Sequence, residues 1–490
     1  MQGRIWSIRT AGSKLAFLEL AQERFKLQCV VNFQNMADDS IKGSTFKSLL
    51  GDLNRGDIIS VTGQPHRTKS AELSILATEM PALLARCQRS LPEKITDQET
   101  KIRSRSVNLL LNRRASDILC LRSELLRFLR QYFLAEGFVD VQTPILANSA
   151  SGAIARPFKT YAAGFRDSKV ELRIAPELWL KKMIVGGFDK VFEIGPCFRN
   201  EGIDLNHNPE FWTCEFYKTY ADLDELIWMT EHMLYLFSGI ARDLEATELS
   251  ALEWGLRQFQ TPFRQLDFIP VVEATLGSKM PDLSLPGATA QVTQLLVEHG
   301  IPIPTRPNLP RLLDQLSSRV LEPQCEAPTW IINYPECMSP LSKSFTHPQN
   351  GQVVAARGEL FIKTQELVNT YEEENSPIEQ RRKFESQLAF NDPEDPRRDV
   401  DEDYIRTLAW GMPPTGGWGC GIDRLVMLFA GTNRIADTLS FGTLKNVIAK
   451  PQSDTKVLPH QQDLILPDKG AQSKGHDKPV SQSLLSRVQS

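Results

Sequence analysis

The 490-residue sequence predicts an α+β fold in two parts, a small all-β unit ahead of a larger unit that mixes helices with antiparallel strands. Three observations predict it. Five short strand patterns fall within about the first 80 residues. A run of apolar residues at helical spacing occupies 118–133. Strand patterns return at 170–220 and 330–372, ahead of an apolar helix that starts at Ile422.

Residues 3–9, 15–20, 25–32, 57–63 and 72–76 read as short alternating strands joined by polar turns. Strands this short suit a small Greek-key barrel of the OB type over 1–85, a pattern that any small β-domain shares. Residues 86–115 are basic and poorly periodic and read as a linker. Beyond it, Ile118, Leu121, Leu125, Phe128, Leu129, Tyr132 and Phe133 share one face of a helix that Gly137 stops. The strand pattern FVDVQTPIL follows and is closed by Pro144. The larger unit runs over 116–450, with a Pro- and Leu-rich insertion at 250–330. Residues 451–490 have little to bury and read as a disordered tail.

Composition narrows function by exclusion. Lys and Arg total 56 against 60 Asp and Glu, so any RNA contact has to come from local patches rather than from a global field. The eight cysteines form no CxxC pair and the histidines no HExxH, which predicts a reduced compartment and no structural metal. No apolar run reaches the roughly 18 residues of a membrane span, so no membrane partner is expected. Arg4, Arg9 and Lys14 precede the first acid, Glu19, in the manner of a mitochondrial presequence, but the same residues also read as a first strand.

Three stretches carry chemistry. In KVFEIGPCFRNEGIDLNHNPEFWTCEFYKTY, residues 190–220, two strands flank a polar loop. Phe211, Thr213, Glu215 and Tyr217 share one face of the second strand, and Trp212, Cys214 and Phe216 share the core face. Arg199 and Glu201 enter the loop, and His207 and Asn208 leave it. In GELFIKTQELVNTYEEEN, Glu359 and Glu366 lie either side of a turn, and Asn369, Tyr371 and Glu373 alternate onto one face. Converging carboxylates suggest an oxygen-ligand site for Mg²⁺, while the run of glutamates from 372 to 374 also fits a solvated strand. In GMPPTGGWGCGIDRLVMLF, Gly416, Gly417, Gly419 and Gly421 let a ligand approach the backbone, and Arg424 opens a helix. The absence of GK[ST] excludes a P-loop.

In this order the three stretches resemble the motifs of class II aminoacyl-tRNA synthetases. Within that class LRIAPELWLKKMIVGGFDKVFEI, HNPEF and CEFY resemble the lysyl-tRNA synthetases, and YEEENSP, SPLSKSF and FGTLKNVIA are similar to their fungal mitochondrial branch. The resemblance covers about residues 1–450. It implies an N-terminal OB-fold β-barrel that binds the anticodon. After it comes a class II synthetase catalytic domain, an antiparallel six- or seven-stranded sheet with flanking helices, in a homodimer joined through the first motif.

The resemblance also implies ATP, Mg²⁺, L-lysine and tRNA(Lys) as cofactors and partners, and a mitochondrial location with the cytoplasm as the alternative. Arg199 would hold the α-phosphate and the lysine carboxylate, and Arg424 the γ-phosphate. Phe211 would stack on adenine, with Glu201, His207 and Asn208 around the nucleotide, and Glu359 and Glu366 would carry Mg²⁺. Gly152, Ala153, Glu177, Glu215, Tyr217, Asn369, Tyr371 and Glu373 would receive lysine, with Glu373 and Glu177 on its side-chain ammonium. In the barrel, Phe17, Gln28 and Glu72 would read the middle anticodon base, although Phe17 also reads as core. Departures from the pattern include Asn206 and Trp212 where Thr is commoner, and Gly358 beside Glu359. A duplicate synthetase conferring inhibitor resistance and a non-charging tRNA-binding paralogue are the alternative functions.

Overall fold

A computed structural model describes residues 1–448 apart from 24, 38–42, 90, 149–154, 244–258 and 391–399. The expected tail at 451–490 lies outside the described residues. Contacts divide the chain into a unit containing Met1–Pro92 and a second, Glu93–Pro451.

The first unit contains β1 (Gln2–Thr10), β2 (Leu15–Gln22), β3 (Phe25–Asn32), α1 (Gly43–Gly51), β4 (Ile58–Ser60), β5 (Gly63–Arg67), β6 (Leu73–Ala77) and β7 (Ala82–Ala85). The strand order is β5-β6-β3-β2-β1-β4-β7. Alternation puts Ile5, Ala16, Leu18, Leu20, Cys29 and Val31 inside with Phe46 of α1, forming the core of an OB-type domain. β5 and β7 were not among the expected strands because both are edges. Their residues are largely exposed on both faces and show no alternation, and Pro65 is tolerated at such an edge. Only Val61 and Thr62 separate β4 from β5, and they bond to Met1 and Thr78, so the run from β4 into β5 links β1 to β6 and brings the sheet round on itself in the manner of an OB fold.

The second unit begins with α2 (Gln98–Arg103) and α3 (Arg105–Leu111). This corrects the reading of 86–115 as an irregular connector. The helices escape a periodicity search because each is too short, and α3 is held by a buried Arg105 whose guanidinium donates to the carbonyls of Asp437, Leu439 and Ser440. α4 (Arg113–Ala135) buries the seven apolar residues expected and ends before Gly137, which has a φ of 81°. Of the strand expected after it, only β8 (Val139–Asp140) forms in the main sheet. The Thr143 amide and hydroxyl both donate to Glu193 and Pro144 has no N–H, so the ladder stops there. β9 (Leu146–Ala147), β10 (Lys159–Ala162) and β11 (Phe165–Leu172) make a small separate sheet.

Next come α5 (Glu177–Val185), β12 (Lys190–Phe198), β13 (Glu210–Thr219) and α6 (Leu223–Asp243). β14 (Arg264–Asp267), α7 (Phe268–Leu276), α8 (Ala288–Glu298), α9 (Leu309–Leu316) and β15 (Thr329–Ile332) follow, and α7–α9 share a hydrophobic cluster of their own with Ile331 and Phe361. After β16 (Ser344–Thr346) and β17 (Val353–Ala355), the hairpin β18 (Arg357–Ile362) and β19 (Gln365–Glu372) leads to α10 (Pro377–Phe390), α11 (Glu402–Leu408), β20 (Thr415–Gly421) and α12 (Ile422–Ala430).

The main sheet has eight strands in the order β14-β15-β18-β19-β20-β13-β12-β8. The inner six are antiparallel, and the ends β14 and β8 pair in parallel. The expected sheet of six or seven antiparallel strands lacks these two edges, which are four and two residues long and too short to show alternation. One face of the sheet packs against α4, α6 and α12. There Trp418 stacks on Phe216 at 5.1 Å, Phe133 meets Phe216 at 5.2 Å, and the Trp418 indole donates to Thr230 Oγ1 at 2.8 Å. Because Phe216 is fully buried, Phe216→Ala is expected to destabilise the second unit by about 3–5 kcal/mol in urea unfolding. A loss well under about 1 kcal/mol would show that this face is not the core.

Candidate active site

The opposite face of β13, β20 and β19 floors a cavity of about 860 Å³. Pairing aligns Thr213 with Gly421, Glu215 with Gly419 and Tyr217 with Gly417, while β19 sets Asn369 beside Gly419 and Tyr371 beside Gly417. The middle strand therefore presents no side chain to the cavity. At Gly417 a Cβ would come within 2.8 Å of the Tyr217 ring and collide with the Glu373 carboxylate, so only glycine fits. At Gly419 the nearest atom to such a Cβ is 3.6 Å away, so glycine there keeps room for a ligand.

One end of the cavity is cationic. The Arg199 guanidinium lies over the Phe211 ring at 4.9 Å. Arg424 donates to the Glu366 carbonyl at 2.9 Å and lies 3.0 Å from His207 Nε2, while His207 Nδ1 meets Asp204. Asn208 is fixed by the Leu444 amide on its oxygen and the Glu210 carbonyl on its nitrogen. Glu201 also lines this end. Two features behind it were passed over in the sequence. Asp423 accepts the Trp212 amide at 2.8 Å and pairs with Arg122 of α4, which itself lies over the Trp212 ring. Arg173 and Glu193 form a buried pair, and Arg173 also donates to the Pro196 carbonyl.

The other end is acidic and aromatic. Glu177, Glu215, Tyr217, Asn369 and Tyr371 all line it. The Tyr371 hydroxyl donates to Glu177 at 2.6 Å and that of Tyr217 to Glu215 at 3.3 Å. Burial, with Glu177 nearby, pushes Glu215 from 4.5 up to about 8, against the pull of Arg199. Gly152 and Ala153, also expected here, lie outside the described residues.

Glu373 departs from expectation. It lies past the end of β19, is 1% exposed and is not in the cavity lining. Its carboxylate is instead ion-paired with Lys181, a residue the sequence reading passed over. Lys181 Nζ also donates to Glu177 at 2.5 Å. The Glu373 carboxylate, expected to meet a ligand ammonium, thus lies against Gly417 of the cavity floor with an internal ammonium beside it. The acidic run is not a solvated strand either, since Glu372 accepts the Leu223 amide and Glu374 pairs with a buried Lys383 at 2.8 Å.

Glu359 and Glu366 converge on a second hollow that adjoins Arg424. Arg357, also passed over, pairs with Glu359, and the Tyr334 hydroxyl donates to the same carboxylate at 2.5 Å. A tight turn at Lys363 and Thr364, both with positive φ, joins the two strands. Among the described residues no group of three or more potential metal ligands exists. Two carboxylates suffice, however, where phosphates complete a divalent ion's shell, and the donors present fit that use.

In the first unit Phe17 is half-buried, Gln28 is buried and Glu72 is exposed, and none of the three belongs to the hydrophobic core. Phe17 lies between buried Ala16 and Leu18 and sits under Arg9 at 5.8 Å, so it is not the core residue that it also resembled. Gln28 pairs with Glu19 across the sheet and donates to Ser74 Oγ at 3.2 Å, and Glu72 is exposed just before β6.

Residues 97–445 match the family described as tRNA synthetases class II (D, K and N), and residues 1–83 match the OB-fold nucleic acid binding domain. The mitochondrial lysine–tRNA ligase of Schizosaccharomyces pombe is 38% identical over 455 residues, spanning 91% of this chain and 84% of that protein. A probable cytoplasmic lysine–tRNA ligase of Vairimorpha ceranae is 36% identical over 92% of this chain and 87% of its own length. The lysine–tRNA ligase of Aquifex aeolicus is 38% identical, with 91% and 72% covered.

The raised Glu215 has a sign that can be checked. Between 4.5 and about 8 the folded protein keeps a proton that the unfolded chain releases. The stability this contributes is fully present below 4.5 and is lost as the pH rises through about 8. The melting temperature of the ligand-free protein should therefore fall across that window, and Glu215→Gln should flatten the fall. An unchanged slope in the Gln variant would show that Glu215 does not hold the proton.

Proposed function

The chain belongs to the class II tRNA synthetases, among the lysine–tRNA ligases, and on that footing we propose which of its residues do the work. The reaction activates lysine with ATP and transfers it to the 3′ end of tRNA(Lys). The lysine carboxylate attacks the α-phosphate, the bond to pyrophosphate breaks, and a terminal tRNA hydroxyl then displaces AMP from the adenylate. No covalent bond to the protein is needed, so catalysis is positioning and charge stabilisation.

The single observation that carries the assignment is one cavity with cations at one end and carboxylates at the other. Arg199 holds the α-phosphate and the lysine carboxylate, where negative charge is shared in the transition state. Arg424 holds the γ-phosphate. Phe211 stacks on adenine, with Glu201, His207 and Asn208 around the nucleotide. A strand rises about 3.3 Å per residue, so Phe211 to Tyr217 spans about 20 Å, the length of an aminoacyl-adenylate. Glu215 and Tyr217 are two residues apart on the same face, a spacing comparable with the stem between lysine's two nitrogens. The α-ammonium is thus assigned to Glu215 and the side-chain ammonium to the Glu177, Tyr217 and Tyr371 end, with Asn369 beside the stem.

Enzymes of this class use ATP with a divalent metal. We take the ion to be Mg²⁺, held by Glu359 and Glu366, where it would neutralise charge on the phosphate oxygens. Phe17, Gln28 and Glu72 are assigned to the middle anticodon base, with Arg9 holding the Phe17 ring. A homodimer through the first motif is supported by exposed Leu134, Val139 and Leu146 around the open edge β8. The forms YEEENSP, SPLSKSF and FGTLKNVIA favour the mitochondrial matrix over the cytoplasm. Retention of Arg199, Arg424 and both metal carboxylates argues against a non-charging paralogue.

Lysine should support ATP–pyrophosphate exchange without tRNA, because the groups for adenylation all belong to the second unit. Arg199→Ala should remove about 3–4 kcal/mol of transition-state stabilisation, a loss of several hundredfold in exchange rate, with the melting temperature retained. Near wild-type turnover in this variant would show that the β12–β13 hairpin is misassigned.

A further inference from the structure

Ala16, Leu18 and Leu20 of β2 point into the core of the first unit, so Phe17, Glu19 and Ala21 share the outer face of its sheet. Arg9 and Ser7 of β1, and Gln28 and Lys26 of β3, stand opposite them on that face. Ile5 lies opposite Leu20 and Ser7 opposite Glu19, so Trp6 is an extra residue on β1, a bulge that leaves its indole half-buried and outside the core. Lys26 faces Ala21, whose methyl group is small enough to let the longer side chain pass over it. The Lys26 ammonium lies 4.4 Å from the centre of the Trp6 ring. Arg55, in the turn before β4, brings its guanidinium to 5.6 Å from the same ring. Leu20 is three residues from Phe17, which sets this patch about 10 Å along the sheet from the Phe17 ring.

An aromatic face attracts a cation, but two cations at one ring repel each other. Glu19 lies 3.5 Å from the Lys26 ammonium, and both side chains are exposed. Among the described residues Arg55 has no ion pair, and its Nε is buried without a hydrogen-bond partner. Arg4 adds a third cation, its guanidinium donating to the carbonyl of Gly56, the residue after Arg55. Covering the indole with an aliphatic stem accounts for one cation, not for three gathered beside a single exposed acid. The chain carries a formal net charge of -4, so the excess is local and not part of a generally basic surface. The indole also holds the two cationic heads in place before anything binds, which lowers the ordering cost of binding an anion.

We propose that Trp6, Lys26 and Arg55 form a second RNA contact on this face, a site for backbone phosphate of the tRNA strand whose middle anticodon base goes to Phe17, Gln28 and Glu72. OB-type domains bind single strands with a basic track for the backbone beside aromatic platforms for the bases, and the two cations at Trp6 extend that track. Phosphate contacts carry no base information, so this site supplies affinity and register while Gln28 and Glu72 specify the base. The inference rests on the assignment of this face to the anticodon.

The test is tRNA binding by the full chain, measured by filter retention across a series of salt concentrations. Two RNAs are compared, tRNA(Lys) and the same tRNA changed at its middle anticodon base. Lys26→Gln and Arg55→Gln should each lower the slope of log affinity against log salt by about 1, and the double variant by about 2. Their fold-loss of affinity should be equal on the two RNAs, and lysine-dependent ATP–pyrophosphate exchange without tRNA should be unchanged. Glu72→Ala should do the reverse, with its loss confined to the natural anticodon and the salt slope kept. If Arg55→Gln does not fold, Lys26→Gln, on an exposed side chain, still reads the slope. The inference is overturned if the slope keeps its wild-type value, if the loss disappears on the altered anticodon, or if exchange falls in step. When Glu72→Ala behaves as expected and the Gln variants leave the slope unmoved, only the phosphate site fails. When Glu72→Ala also binds both RNAs like the wild type, the anticodon assignment fails.

Discussion

Successive side chains of a β-strand leave on opposite faces, and β19, β20 and β13 lie side by side under that constraint. Phe216 and Trp418 therefore go to the core, and Glu215, Tyr217, Asn369 and Tyr371 go to the cavity. The glycines of β20 occupy the cavity positions between them, so the central strand forms a bare floor. A slip of one residue in either pairing would bury the carboxylates in the aromatic core and expose Trp418. The stacked Phe216 and Trp418 rings thus hold the register on which the site geometry depends.

On that frame, charge is arranged in two tiers. Groups that reach the cavity are Arg199 and Arg424 at one end and Glu177 and Glu215 at the other. Behind each stands a buried partner of opposite sign or a hydrogen-bonded support. Arg173 and Glu193 brace the hairpin from below, Asp423 ties it to α4, Arg357 and Tyr334 orient Glu359, and Lys181 pairs with Glu177 and Glu373. The rear tier explains how so many carboxylates remain close together in a protein interior. Glu215, which accepts from the neutral Tyr217 hydroxyl and has no cation in contact, is pushed by burial up to about 8.

The front tier was legible in the sequence because it obeys short-range rules. Alternation alone separates Phe211, Thr213, Glu215 and Tyr217 from Cys214 and Phe216, and helical spacing alone finds the buried face of α4. The rear tier was not legible in the same way. Arg173 and Glu193 are 20 residues apart and Lys181 and Glu373 almost 200, so nothing local marks them as partners. Lys181 did carry one local signal, its i,i+4 spacing from Glu177, and Arg357 stands two residues before Glu359. Edge strands β5, β7, β8 and β14 were missed or shortened because they lack alternation or are only a few residues long. The extent of Glu373's burial depends on where β19 ends, which no single-strand pattern reveals.

The central claim is that the acidic end of the cavity is built to accept the two ammonium groups of lysine, one at Glu177 beside its internal counter-charge and one at a Glu215 that is protonated while the site is empty. Proton release on binding tests it most directly. Lysine is titrated calorimetrically into the protein near neutral pH, in buffers that differ in ionisation enthalpy, so that the heat reports the number of protons exchanged. Because the pKa of Glu215 is held at about 8, the incoming α-ammonium should displace its proton, and roughly one proton should be released per lysine bound. Binding with no proton release, or with uptake, would contradict the account.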